Sequence, residues 1–257
     1  MKKFFKIAGI TIGILLILII CIGVYGHFKG KEMIETAKEN SRRIENFESE
    51  DSDEYMEYSV VKFNKAGDFH TGFKYLNKAV ELNPTSHLGY RGWIRLRKIR
   101  DYDNALADFN RLDSLTPNFV DAPWGEDIDF LRGECYFGKK EYQKAIELFN
   151  RNILNQKEDW ADVQSFVYLG LCEYELGNYE KAISEFERAL KQSEYIPESF
   201  FGMAKAYQKL GQIEKAKENI LKAENNMHYK RDDVYNEFLN EIYLSEIIEF
   251  KQELNKK

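Results

Sequence analysis

Tyr142-Gln143-Lys144-Ala145-Ile146 and Tyr179-Glu180-Lys181-Ala182-Ile183 decide the fold of this chain. Both read as a large aromatic, two polar residues, a small residue, then an apolar one. The same pattern recurs as Phe69-His70-Thr71-Gly72-Phe73 and Tyr102-Asp103-Asn104-Ala105-Leu106, with a weaker copy at Ile213-Glu214-Lys215-Ala216-Lys217. The small residues lie 33, 40, 37 and 34 positions apart, a period that marks stacked supersecondary units. Four residues after each small one stands a large apolar residue: Leu76, Phe109, Phe149, Phe186 and Ile220. Just before each pattern lie turn residues, Gly67-Asp68, Arg100-Asp101, Lys140-Glu141, Gly177-Asn178 and Gly211-Gln212, and before each turn an apolar-periodic helix. Each unit is therefore helix, short turn, helix. The small residue admits the neighbouring helix closely, and the aromatic fills the space beside it. Pro84 and Pro117 end second helices, and Pro197 opens a first helix.

These units resemble the tetratricopeptide repeat (TPR) family. Gly133 with Tyr136, Ala145 and Phe149 matches its pattern, as do Gly170 with Ala182, Phe186 and Ala189, and Ala204 with Tyr207, Ala216 and Ala223. Gly72 with Ala79 and Pro84 matches more loosely. Gly92 is displaced by about one residue, and Leu112 stands where an Ala is expected. The expected fold class is all-α: a right-handed superhelical array of about five TPR-like repeats over residues 53–226, with a capping helix at 227–257. Within that cap, residues 231–254 read as one amphipathic helix bearing Tyr235, Phe238, Leu239, Ile242, Ile247, Phe250 and Leu254 on its apolar side.

The resemblance implies a concave groove, lined by first helices, that binds proteins or peptides. Family geometry places Asp127, Phe130, Glu134 and Phe137 in it from the third unit, Gln164, Val167, Leu171 and Tyr174 from the fourth, and Glu198, Phe201, Lys205 and Gln208 from the fifth. This mixture of aromatic and charged groups suits an extended or helical peptide. The Lys/Arg/Asn set by which some family members clamp a C-terminal carboxylate is not reproduced.

Two further features stand out. The long junction Thr116–Asp127 carries Trp124, which reads as a plug for the hairpin junction or as a ligand contact. Arg91, Arg95, Arg97, Lys98 and Arg100 share one helix, and Arg91, Arg95 and Lys98 share a face. That face is either solvated and partly neutralised by nearby acids, or a site for an acidic partner.

At the N-terminus, Ile7–Tyr25 holds no charge and is dominated by eight Ile, three Leu and one Val. Nineteen helical residues would span about 28 Å, and twelve aliphatics would favour insertion by about 4–7 kcal/mol. The reading is a transmembrane anchor at residues 7–25 followed by a helical stalk and acidic linker at 26–52. A cleaved signal peptide competes, but the apolar run is long and Gly23-Val24-Tyr25-Gly26-His27 is a poor cleavage site. The expected localisation is a single-pass membrane protein, N-terminus inside, with the repeats on the outer side.

The 257-residue chain carries a net charge of −6, and its first 30 residues are basic, so the remainder is acidic. That excludes nonspecific nucleic-acid binding. Cys135 and Cys172 occupy matching places in successive units and read as small buried apolar groups. His27, His70, His87 and His228 are scattered, and no metal, nucleophile or phosphate-loop signature occurs. The composite reading is a non-enzymatic, membrane-anchored scaffold without cofactor or metal, binding an unidentified protein or peptide. A recruitment module of a signalling system and a small-molecule or glycan binder are the alternatives.

Overall fold

The computed structural model describes residues 22–36, 38, 47–230 and 238–256. It divides into two units, at residues 1–50 and 51–257. In the first unit, residues 22–36 form a helix, α1, with a Lys29–Glu32 ion pair of 2.9 Å.

The expectation of a single-pass membrane localisation is corrected by this structure. Among the described residues, no helix is long and apolar enough to cross a membrane. Residues 7–21 of the expected span lie outside the described residues. Within the span only Ile22–Tyr25 is described, in a helix whose following turns are polar: they carry Lys29, Lys31, Glu32 and Glu35.

The described residues of the second unit are helical, with turns and short loops between the helices. α2 (Ser52–Tyr58) runs on through a π turn (Ser59–Phe63) and a short 3-10 turn (Asn64–Ala66). Then come α3 (Phe69–Leu82), α4 (Pro84–Arg97), α5 (Tyr102–Leu115), α6 (Ile128–Gly138), α7 (Tyr142–Gln156), α8 (Val163–Glu175), α9 (Tyr179–Gln192), α10 (Pro197–Lys209), α11 (Ile213–Asn226) and α12 (Leu244–Leu254). Pro84 both follows the end of α3 and supplies the first turn of α4, where its missing N–H costs nothing.

The helices pair as hairpins, α2 with α3, α4 with α5, α6 with α7, α8 with α9 and α10 with α11. The small position of the motif and the large apolar position four residues later are buried in every unit. Gly72, Ala105, Ala145, Ala182 and Ala216 lie inside, and Leu76, Phe109, Phe149, Phe186 and Ile220 are at most 1% exposed. The reason is steric: each aromatic lies flat against a first helix that lacks a side chain at that point. A Cβ on Gly92, Gly133 or Gly170 would come within 2.7, 2.6 or 2.5 Å of Phe109, Phe149 or Phe186 respectively.

Each hairpin turns on one residue in left-handed conformation: Gly67, Arg100, Lys140, Gly177 and Gly211. The amide after it bonds back to the first helix, as Asp68 does to Phe63 O, Glu141 to Tyr136 O, Asn178 to Glu173 O and Gln212 to Tyr207 O. Three of the five are glycine, which adopts this conformation without strain.

Successive first helices also pack on one another, α4 on α6, α6 on α8 and α8 on α10, whereas second helices do not do so to the same extent. First helices therefore form the inner surface of the array. At its C-terminal end α12 covers the last hairpin. Ile247 and Leu254 join Phe201, Ala204, Ile220 and Ala223 in one apolar cluster, and Lys251 pairs with Glu224 at 2.6 Å.

Candidate functional site: an inner groove that holds a segment of its own chain

The helix expected over 231–254 is shorter than the sequence pattern suggested. Residues 231–237, with Tyr235, lie outside the described residues, and helix begins only at Leu244. Phe238 to Tyr243 is non-helical and crosses the inner surface.

Four helices contribute to the floor of this crossing. From α4, Arg97 is completely buried and stacks its guanidinium on the Phe238 ring, 4.1 Å from the centroid. Just beyond α4, Arg100 donates to the Phe238 carbonyl at 3.5 Å. From α6, the ring of Phe130 meets Phe238 edge-on, with centroids 6.4 Å apart. From α8, Tyr168 Oη accepts the Leu239 N–H at 2.9 Å, and Gln164 Oε1 accepts from Asn240 Nδ2 at 2.8 Å. Ile242 then enters the apolar cluster with Phe201 of α10.

Beneath the segment lies a buried charge network. Arg97 Nη2 pairs with Glu134 at 2.6 Å and with Glu126 at 2.8 Å, and Trp93 Nε1 donates to Glu126 at 3.2 Å. Tyr168 Oη donates to Glu134 Oε1 at 2.6 Å, so this hydroxyl both gives and receives a hydrogen bond. Burial pushes the Glu134 carboxyl up to about 7, against the opposing pull of Arg97. Burial likewise pushes the Tyr168 hydroxyl well up.

The structure distributes the sequence-derived groove residues over several environments. Glu134 and Gln164 contact the segment or its floor, as above. Phe130 and Val167 are fully buried in the hairpin core, where Phe130 also packs against Phe149 and Tyr168. Asp127 serves as the N-cap of α6, accepting the Asp129 amide at 2.7 Å, and burial raises its carboxyl.

Phe137, Leu171 and Tyr174 are half-buried on the same core. At the α10 end, Phe201 packs edge-on against Phe250 of α12, and the partly buried Lys205 ammonium lies over the rings of Phe201 and Tyr174 at 4.8 and 5.5 Å. Burial lowers the Lys205 pKa and raises that of Glu198. Gln208 is half-buried on α10.

Arg97, Tyr168 and the Phe238–Asn240 stretch are additional to the residues that sequence reasoning chose. Arg97 carried a signal: it sits out of phase with Arg91 and Arg95, on the apolar side of its helix. The basic face itself is neutralised internally, because Asp108 receives Arg91 at 2.7 Å and Arg95 at 2.5 Å. Trp124 does not plug the junction. It is 64% exposed and lies over Tyr90 and Trp93, while Pro123 packs against Gly89. A pocket of about 160 Å³ beside Phe130 is lined by Asn152, Gln156, Trp160 and Asp162 among others, and not by Trp124. Cys135 and Cys172 are buried free thiols whose pKa values burial raises.

Comparison with known proteins agrees with this architecture. Residues 170–211, which run from the end of α8 through α9 and α10, match the TPR repeat family. TPR repeat-containing protein MJ1428 of Methanocaldococcus jannaschii is 29% identical over 120 residues, covering 46% of this chain and 19% of the relative. Human tetratricopeptide repeat protein 16 is 25% identical over 168 residues, covering 62% of this chain and 19% of the relative. The chain thus spans about a fifth of the length of these relatives. Among solved structures, a tetratricopeptide repeat protein from Parabacteroides merdae superposes with a TM-score of 0.60 at 20% identity, over 80% of this chain and 72% of that one. YrrB, described as a TPR protein with an unusual peptide-binding site, superposes with a TM-score of 0.53 at 18% identity, over 74% and 93% of the two chains. At these identities the likeness establishes the fold. The class defined by fold and comparison is an all-helical, TPR-like repeat array.

Proposed function

We propose that this chain is a protein-interaction scaffold that binds a peptide segment of a partner protein on the inner surface formed by α4, α6, α8 and α10. The observation that carries this reading is the Phe238–Asn240 stretch. Non-helical polypeptide already lies on that surface, held by an aromatic stack, by main-chain hydrogen bonds and by a side-chain amide pair. Extended-peptide recognition uses these same contacts. The fold supports the reading, since the similar YrrB is described as having a peptide-binding site. The side chains gathered here are aromatic rings, a guanidinium, amides and paired carboxylates, a set suited to recognition without covalent chemistry.

A photo-crosslinking amino acid tests the proposal. Placed at Phe137 or Tyr174 on the inner surface, it should capture a partner protein, and placed at the exposed Lys181 or Glu187 of α9 it should not. Capture from the α9 positions alone would refute the inner-surface reading.

A further inference from the structure

The segment on the inner surface differs from ordinary core in three ways. It is non-helical within an otherwise helical array. It touches side chains from three successive repeats: Arg97 on α4, Phe130 on α6, and Gln164 and Tyr168 on α8. Two of its contacts run through main-chain atoms, the Phe238 carbonyl and the Leu239 amide, which any polypeptide in the same place could supply. Phe238 adds to the hairpin core, but the close glycine–aromatic contacts that pair the helices do not involve it. Ala145, Phe149, Ala182 and Phe186 close the helix pairs through contacts among themselves and their first helices.

The segment also closes a costly floor. Glu134 and Arg97 are both 0% exposed, and two carboxylates share the one guanidinium. Buried charge of this kind is expensive unless paired. Removing the segment would return water to Arg97 and Glu134, so part of the cost of opening is offset by rehydration. The arrangement therefore opens more readily than an apolar core of equal size.

We propose that Phe238–Asn240 is a resident pseudoligand that occupies the groove in cis, and that the partner which displaces it presents an extended aromatic–aliphatic–amide segment of the same chemistry. The aromatic side chain would stack on Arg97. The next residue would offer its N–H to Tyr168 Oη, and the third would give its side-chain amide to Gln164. This inference rests on the reading of the inner surface as a peptide site and adds its regulation and its preferred ligand.

The test uses the full chain and, as probe, a fluorescein-labelled synthetic peptide with the sequence of residues 235–243, followed by fluorescence anisotropy. The wild-type chain should bind the probe weakly, because the groove is filled. Phe238→Ala should bind it at least about tenfold more tightly, since truncating a buried aromatic anchor commonly has effects of this size. Phe238→Leu, which keeps apolar volume but loses the stack on Arg97, should fall between. Adding Tyr168→Phe to Phe238→Ala should reverse part of the gain, because the acceptor of the probe's amide is gone.

Equal binding by wild type and a folded Phe238→Ala chain, or binding by neither, overturns the proposal. If Phe238→Ala unfolds, amide exchange in the wild-type chain decides. The Leu239 amide should exchange faster when unlabelled peptide is added in excess, and unchanged protection at saturating peptide overturns cis displacement. A chain that is dimeric only while Phe238 is intact would place a second copy's segment in the groove and overturn it as well. A random peptide library displayed against folded Phe238→Ala separates this proposal from the one it rests on. Binders that crosslink to Phe137 but lack the aromatic–aliphatic–amide order remove the pseudoligand and leave the peptide site. An absence of any binder removes both.

Discussion

Replacing Gly170 by Ala sets two effects of opposite sign against each other. Gly170 lies inside α8, where alanine favours helix by about 1 kcal/mol. Against this, the added Cβ would lie 2.5 Å from Phe186 Cε1 and 2.6 Å from Cδ1. Carbon atoms prefer separations of about 3.5–4.0 Å, so the ring must retreat by about 1 Å. It has nowhere to go. Phe186 is completely buried, and on its other side Gly202 of α10 approaches so closely that a Cβ there would sit 2.3 Å away. Overpacking of a confined ring costs about 1–3 kcal/mol, so after the helix gain of about 1 kcal/mol the variant loses up to about 2 kcal/mol. For a domain of this size each kcal/mol lowers Tm by about 2–4 °C. Urea denaturation followed by circular dichroism measures the loss. Combining Gly170→Ala with Phe186→Leu should cost less than the sum of the single changes, because the smaller side chain leaves room for the methyl. A Gly170→Ala chain more stable than wild type, or strictly additive costs, would refute the claim that glycine–aromatic contact sets the repeat spacing.

Four other perturbations follow from the same geometry. The folded-state pKa of Glu134 is raised to about 7, above its ordinary value, so its stabilising contribution is full at low pH and is lost as pH rises through about 7. The urea midpoint should therefore fall between about pH 5 and about pH 8, and Glu134→Gln should flatten that part of the profile; identical profiles would contradict the assignment. Asp108→Ala removes the carboxylate shared by Arg91 and Arg95 and should cost about 2–4 kcal/mol in denaturant unfolding, since two largely buried guanidinium groups lose a partner. A cost below about 1 kcal/mol would return this helix face to the category of solvated charge. Lys140 holds a left-handed conformation with φ of 61°, so Lys140→Gly should raise stability by about 0.5–1 kcal/mol. In the reverse sense Gly177→Ala should lower it by about 1 kcal/mol, although no atom lies within 4 Å of the added methyl; unchanged melting in both would dismiss the turn strain.

The repeats were legible because one physical requirement recurs. Each second helix must present a small residue and, four positions later, a large apolar one to its hairpin partner, and Ala145 with Phe149 and Ala182 with Phe186 announce it without tertiary knowledge. The turns were legible at Gly67, Gly177 and Gly211, and their position carried over to Arg100 and Lys140 by register. Within the helix expected over 231–254, Leu244–Leu254 is helical and residues 238–243 are not, for an identifiable reason. Phe238, Leu239 and Ile242 keep helical spacing, and periodicity cannot separate a helix face from a loop whose side chains enter a groove formed by other repeats. The same limit applies to Phe130, which the sequence places on a first-helix face without revealing that Phe149, Tyr168 and Phe238 surround it. Arg97 required knowledge of Glu126 and Glu134, which lie 29 and 37 positions away in the chain. Of the apolar N-terminal run only Ile22–Tyr25 is described, and no helix among the described residues is long and apolar enough to cross a membrane.

The central claim is that the inner surface of this TPR-like array is a peptide-binding groove occupied by the chain's own Phe238–Asn240. Nuclear Overhauser measurement on the isotope-labelled protein tests it most directly, by asking whether the Leu239 amide lies beside the Tyr168 ring. The account predicts a clear cross-peak from that amide to the Tyr168 ring protons, with Phe238 ring protons shifted by Phe130 and Arg97. Random-coil shifts for Phe238 and Leu239 with no contact to Tyr168 would contradict it.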